Sequence, residues 1–191
     1  MAGHSALREA AEGCLVLLDA CCLINLYGSG RVEEIMETLP FQLATSELIA
    51  DTEILTIRGQ ARADGSRERI PVSLRDLEAS GHLSILPVVS DREVAEFVRF
   101  ALHLDDGEAS VCALAVLYGG TVATDDRKAL RILKAEDIPA VGTPELLFTW
   151  AKRSGALESE VRNALHMIRD RAHFYPRSTS SHFEWWNRFF A

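Results

Sequence analysis

Val16-Leu17-Leu18-Asp19-Ala20-Cys21-Cys22-Leu23-Ile24-Asn25-Leu26 decides how this chain is read. An apolar run ends on a carboxylate, and a second apolar segment follows without a break. The pattern is that of a buried strand delivering Asp19 to its carboxyl end, with a helix leaving at once. In open parallel sheets, ligands and metals collect at that edge. A single acid there means little unless other acids reach the same place.

Outward from this stretch, strand and helix signals alternate. Cys14 to Leu18 reads as the first strand, and Cys21 to Tyr27 as a short helix stopped by Gly28-Ser29-Gly30. Arg31 to Thr38 is a second short helix, ended by Pro40. Phe41 to Ala44 is a second strand. Thr45 or Ser46 caps a helix expected to run through about Arg58. Gly59 to Arg69, polar and rich in Arg, Asp and Gly, is the best candidate for a mobile loop. Ser73 to Ser80 reads as a helix and Leu83 to Val88 as a third strand. Ser90 and Glu93 form a capping box. It opens a helix whose Val94, Phe97, Val98, Ala101 and Leu102 share one face, expected to be buried.

Ala109 to Tyr118 is Ala-rich and nearly uncharged, so it is expected inside. Thr121 to Thr124 is a fourth strand, ending on Asp125-Asp126; a helix follows over Arg127 to Ala135. Ile138 to Val141 is a fifth strand, and Thr143-Pro144-Glu145 opens a further helix. Uninterrupted apolar strands alternating with helices imply a parallel sheet covered on both faces. The expected division is a domain over 14–153 and an extension over 154–191. The extension holds a helix from about Glu158 to Arg171 and a tail carrying Phe183, Trp185, Trp186, Phe189 and Phe190. Such a tail is expected to pack across the domain or an interface, since that many exposed aromatics would be a liability. Ser5 to Glu12 is expected to form a short helix or a loose arm.

Composition narrows the function classes. The 191 residues carry a net charge of −8, which argues against a broad, sequence-independent hold on nucleic acid, because phosphates are neutralised by Lys and Arg. A small catalytic site for nucleic acid survives this objection, since bound divalent cations invert the local charge. No apolar run reaches the roughly 18 residues of a membrane span. The polar, mixed start lacks the pattern of a signal peptide, so a cytoplasmic protein is expected. Cys14, Cys21, Cys22 and Cys112 form no Cys-x-x-Cys pair and read as reduced, packed thiols. None of the six histidines has ligand spacing on an expected helix.

Acids arrive at the sheet edge in four places. Asp19 ends the first strand, Glu53 follows the second, Asp105, Asp106 and Glu108 surround the start of the Ala-rich helix, and Asp125 and Asp126 end the fourth strand. Carboxylates that meet repel one another, and a hard divalent cation with oxygen ligands removes the repulsion. The chemistry this suggests is metal-assisted phosphodiester hydrolysis.

Taken together, Asp19 with Leu23-Ile24-Asn25, the mid-chain Glu53, Asp106-Gly107-Glu108-Ala109 and Thr124-Asp125-Asp126-Arg127-Lys128-Ala129 resemble the PIN domain. That family comprises metal-dependent ribonucleases, including the VapC-type toxins. The similarity spans about Cys14 to Trp150. It implies a three-layer α/β/α sandwich around a parallel sheet of about five strands. It also implies a catalytic quartet that binds Mg²⁺ or Mn²⁺. Carried over by motif, the quartet is Asp19, Glu53, Glu108 and Asp125. Asp105 and Asp106 compete with Glu108, although Asp106 is also placed to cap the helix. Asp126 competes with Asp125, and Glu47 and Asp51 with Glu53. Where the family usually has Thr, Ser or Asn just after the first Asp, Ala20 and Cys21 stand here. Asn25 is placed to orient Asp19 across one helical turn.

The resemblance implies a Mg²⁺/Mn²⁺-dependent endoribonuclease acting on single-stranded RNA, as the toxin of a toxin–antitoxin pair whose antitoxin blocks the acidic pocket. It also implies a homodimer. Arg58, Arg62, Arg67, Arg69, Arg127 and Lys128 are the cations available to an RNA backbone. The alternative is a non-catalytic PIN-like module that binds RNA or a protein. Phosphotransfer folds fit less well, because Asp19-Ala20-Cys21 lacks a second Asp and the strand from Leu83 ends without one.

Overall fold

The structure is a computed structural model that describes residues 13–53, 55–61 and 65–190. The expected arm over residues 5–12 and Arg62 lie outside the described residues. Five strands form one parallel sheet: β1 (Leu15–Leu18), β2 (Gln42–Ser46), β5 (Ser84–Leu86), β6 (Thr121–Ala123) and β7 (Ala140–Val141). Their order is β5-β2-β1-β6-β7, and every pairing is parallel. The chain therefore winds from β1 to one side through β2 and β5, then returns to fill the other side with β6 and β7. The switch point lies between β1 and β6, where such sheets open a crevice at the carboxyl ends of their strands.

Helices cover both faces, as the parallel sheet requires. On one face, α1 (Ala20–Gly28), α2 (Val32–Thr38), α8 (Thr143–Ser154) and α9 (Glu158–Ala172) pack together; on the other, α6 (Asp106–Tyr118) lies across β1, β2 and β6. Val16, Leu17 and Leu18 have no exposed surface. Side chains of this kind each contribute roughly 1.5–3 kcal/mol when fully buried. In α6, Ala109, Ser110, Cys112 and Ala113 are buried, because small side chains let the helix lie close to the sheet. The expected Ala-rich interior helix is found. So is the capping box of α5 (Asp91–Ala101), where Ser90 Oγ accepts from Glu93 N at 3.2 Å and Glu93 Oε2 accepts from Ser90 N at 2.7 Å.

Three local expectations fail. The helix after β2, α3 (Glu47–Thr52), stops six residues short of Arg58, and Glu53 is its extended C-cap at φ −88° and ψ 130°. Thr56 and Ile57, β-branched and stiff, favour the extended chain that follows. Second, residues 59–69 are not simply a loop. β3 (Thr56–Ala61) and β4 (Arg67–Pro71) pair antiparallel as a separate two-stranded ribbon. Its charge hid it: β4 is exposed along its whole length, so no alternation of buried and exposed residues marks it. Ile57 is buried, and β3 packs on α1 and α9. Third, the apolar face of α5 is largely uncovered. Val94, Val98 and Leu102 are 43%, 52% and 74% exposed, whereas Phe100 is 1% exposed. Periodicity reports that a stripe exists; only the neighbouring elements decide whether it is covered.

The C-terminal segment joins the same core. Val161, Ala164, Leu165 and Ile168 of α9 are buried, as are Trp186 of α10 (Phe183–Asn187) and Phe189. Gly28 sits where a Cβ would lie 3.1 Å from Ala172 Cβ, so α1 and α9 make close backbone contact there.

Candidate metal centre

Three central strands end side by side, and each contributes a polar group. After β1, Asp19 N donates to Ala123 O of β6 at 3.0 Å, which ties the two strand ends together. Asp19 is 4% exposed and caps α1, its Oδ1 accepting from Ala20 N at 2.7 Å. Its Oδ2 accepts from Thr124 Oγ1 at 2.8 Å and from Cys21 Sγ at 3.0 Å. Burial raises the Asp19 carboxyl above its ordinary range, and these donors oppose the rise. A hydroxyl therefore does reach the first Asp. It comes from Thr124 at the end of β6 rather than from the residues next in sequence. At the end of β2, Ser46 caps α3 and accepts from Ser110 Oγ of α6 at 2.6 Å.

Glu53 approaches from the cap of α3 and lies over the first turn of α6. A Cβ at Gly107 would fall 1.9 Å from Glu53 Oε1, so the glycine makes room for the carboxylate. Glu108 stands one residue further along α6, and Asp105 is the N-cap, accepting from Glu108 N at 2.8 Å. The expectation that Asp106 caps this helix is thus replaced: Asp105 has the extended backbone of a cap, and Asp106 is the exposed first helical residue.

Glu53 and Glu108 share an electrostatic environment. Partial burial, followed by the charges of Asp19 and Asp105, lifts Glu53 to about 7. Partial burial, followed by the charges of Asp105, Asp19 and Asp126, lifts Glu108 to about 7. The Asp105 backbone amide opposes the rise at Glu108, whereas no donor opposes it at Glu53. Acids whose proton affinity is raised by neighbouring acids form a site suited to a cation. Glu47 and Asp51 belong elsewhere: Arg75 Nη2 donates to Asp51 Oδ1 at 2.7 Å and lies 3.7 Å from Glu47 on the surface.

Asp125 and Asp126 diverge although they are adjacent. Asp125 turns toward α1 and α8. Its Oδ1 accepts from Thr143 N at 3.1 Å; its Oδ2 accepts from Asn25 Nδ2 at 3.0 Å, from Cys22 Sγ at 3.5 Å and from the Thr143 hydroxyl. Gly142 leaves space here, since a Cβ would come within 2.8 Å of Asp125 Oδ1. Asn25 therefore holds Asp125 and Thr143, not Asp19. Asp126 Oδ1 accepts from Lys128 N and Ala129 N, capping α7 (Arg127–Ala135). It is Asp126, not Asp125, whose charge raises Glu108.

Cys21, Cys22 and Asp125 bring ligand atoms within 4.8 Å of one another. All four cysteines are free thiols. Burial pushes the Cys22 thiol well up, and the neighbouring Asp125 charge adds to that rise. The Cys22 thiol donates to the Asp125 carboxylate, and a metal held by this group would require the thiolate. Thr124, Thr143, Gly107 and Gly142 were given no role at the site by the sequence reading, although the first three lie inside its motifs. The threonine of Thr-Asp-Asp and the glycine of Asp-Gly-Glu were its available signals.

A family model, DUF3368, described as a PIN domain, matches residues 15–183. No curated protein and no solved structure matches the chain. Among the described residues, no helix is long and apolar enough to cross a membrane.

Proposed function

The chain belongs to the PIN domain family, whose members are generally nucleases that act on nucleic acid, and from that premise we propose a Mg²⁺- or Mn²⁺-dependent endoribonuclease acting on single-stranded RNA. The observation that carries the reading is that the charge of Asp19 reaches both Glu53 and Glu108 at one sheet edge, where the two glutamates are lifted to about 7. That donor set fits a hard divalent cation with all-oxygen ligands. Asp19, Glu53 and Glu108 would hold it, with the fourth place contested by Asp125 and Asp126. When bound, such a cation supplies charge neutralisation at the phosphate and an activated water.

The chain's own residues set the geometry. Thr124 and the Ala20 amide fix the Asp19 carboxylate, so one oxygen-rich face is presented without a rotamer search. Gly107 lets Glu53 lie against α6, beside Glu108. Asp105 holds the first turn of that helix. The same crowding keeps Glu53 and Glu108 partly protonated near neutrality in the metal-free protein, so cation binding would be coupled to proton release.

A toxin role belongs to the same proposal: an antitoxin would quench this mouth with a basic side chain, and the protein would act as a homodimer in the cytoplasm. Cleavage of single-stranded RNA in Mn²⁺ by the wild type beside Asp19→Asn is the test. The variant is expected to lose more than the roughly 10- to 100-fold typical of residues outside the ligand shell. Equal activity, or none in either protein, sinks the proposal.

A further inference from the structure

A cleft of about 480 Å³ opens beside the acids, on the β6–β7 side of the sheet. One wall carries Thr124, Asp125 and Asp126; the other is the strap 173–181 that joins α9 to α10, including Tyr175, Arg177 and Thr179. The strap is anchored. Pro176 is buried, and Trp186, fully buried, meets Phe174 edge-on at 5.7 Å. The Tyr175 hydroxyl donates to Asn187 Oδ1 at 2.6 Å, and His182 stacks on Phe148 at 4.0 Å. The aromatic tail thus holds the strap across from the sheet edge.

The strap brings a cation there. Arg177 N donates to Ser180 Oγ at 3.2 Å and Ser180 N donates to Arg177 O at 2.9 Å, closing a turn that leaves the guanidinium exposed. Arg177 pairs with no acid among the described residues. In a chain of net charge −8, next to clustered carboxylates, a polyanion needs such a positive contact in order to approach. A guanidinium suits a phosphate because its fork donates two parallel hydrogen bonds. The cleft volume lies in the range of small-ligand sites, and Tyr175, 39% exposed, offers part of a ring to a base.

We propose that this cleft seats one nucleotide of a single-stranded nucleic acid next to the scissile phosphodiester, with Arg177 binding a backbone phosphate. The proposal rests on the nuclease reading and adds a substrate subsite built by the C-terminal strap.

The test is fluorescence anisotropy with a labelled single-stranded RNA of about eight nucleotides, measured across a salt series in EDTA and in Ca²⁺. Arg177→Ala is expected to weaken binding and to lower the slope of log K against log salt by about 0.7, the contribution of one phosphate contact on a single strand. Arg177→Glu is expected to lose more, and Arg177→Lys to keep the slope. Arg92→Glu at the start of α5, exposed and outside the lining of the cleft, makes the same charge change and is expected to bind like the wild type. Because Arg177 is exposed, thermal melting of these variants should match the wild type. Unchanged binding by both Arg177→Ala and Arg177→Glu, an equal loss in Arg92→Glu, or no RNA binding by the wild type overturns the subsite. Cleavage of RNA in Mn²⁺ with indifferent Arg177 variants removes the subsite and leaves the nuclease. Arg177-dependent binding without cleavage supports the subsite and removes the nuclease.

Discussion

Asp125 and Asp126 are neighbours in sequence at the end of one strand, yet they occupy opposite kinds of environment. Asp125 is surrounded by donors from α1 and α8: Asn25, Cys22, and both the amide and hydroxyl of Thr143. Asp126 is held by the amides of its own helix, Lys128 N and Ala129 N, and from there its charge reaches Glu108. In the first environment burial raises the Asp125 carboxyl, the donors oppose that rise, and the bonds lock three elements together. The second leaves carboxylates repelling one another. Donors from three elements hold Asp125 in place, whereas the acids around Glu108 raise its proton affinity, and such crowding suits a cation.

The two aspartates can be set against each other by substitution. Asp125→Asn keeps the size but turns a charge-accepting site into one that presents an amide to Asn25 and Thr143. Charge-assisted hydrogen bonds are worth about 1.5–3 kcal/mol each, so a loss of about 2–3 kcal/mol in urea unfolding is expected. Asp126→Asn should change stability by less than about 0.5 kcal/mol, because Asn is as good an N-cap as Asp, while weakening Mn²⁺ binding in calorimetry. Equal stability losses at both positions would dissolve the distinction.

Gly107→Ala acts first on the crowded side. The added Cβ would meet Glu53 Oε1 at 1.9 Å and push that carboxylate aside; its 3.2 Å approach to Ile49 Cγ1 in the core is offset by a helix propensity that improves by up to about 1 kcal/mol. Mn²⁺ affinity is expected to fall about 10-fold, the low end for a disturbed ligand environment, with no loss in thermal stability. Unaltered affinity would place Glu53 outside the metal site.

The smallest effect is a pH dependence. Glu108 rises from an ordinary 4.5 to about 7 in the folded, metal-free protein. The folded state then holds more protons than the unfolded state between those values. This group's favourable contribution is fully present below pH 4.5 and is lost as pH climbs through 7. Glu108→Gln removes the charge, so the variant should melt above the wild type at pH 8 and level with it at pH 4.5. Glu108 is half exposed, so solvent screening keeps the gain below about 1 kcal/mol, or no more than about 2–4 °C. A gain of the same size at both pH values would show that packing, not charge, is responsible.

Much of the fold was legible in local pattern. The run Val16 to Leu18 had to be interior, because a continuous apolar strand has no polar face to show to water. Ser90 and Glu93 had to begin a helix, since both groups of a capping box lie within one turn. The PIN family was likewise readable from motif order, which also singled out Asp19, Glu53 and Glu108 as the candidate acids. The β3–β4 ribbon was not, because its charged residues match a solvated loop until a partner strand is known. Nor was the fate of Val98 and Leu102, which depends on what packs against α5.

At the acidic edge the division is sharp. Sequence by itself determined that Asp19 ends a buried strand and that a helix starts directly after it, because both follow from hydrophobic runs a few residues long. Tertiary structure decided which groups Asp19 meets. Thr124, 105 residues away, supplies the hydroxyl that Ala20 and Cys21 lack, since β6 lies beside β1. Asn25 is drawn to Asp125 rather than to Asp19 because α8 places Thr143 at its side. Hydrogen bonds and charge repulsion act over a few ångströms in space, and that distance is set by the order of strands in the sheet, not by the order of residues in the chain.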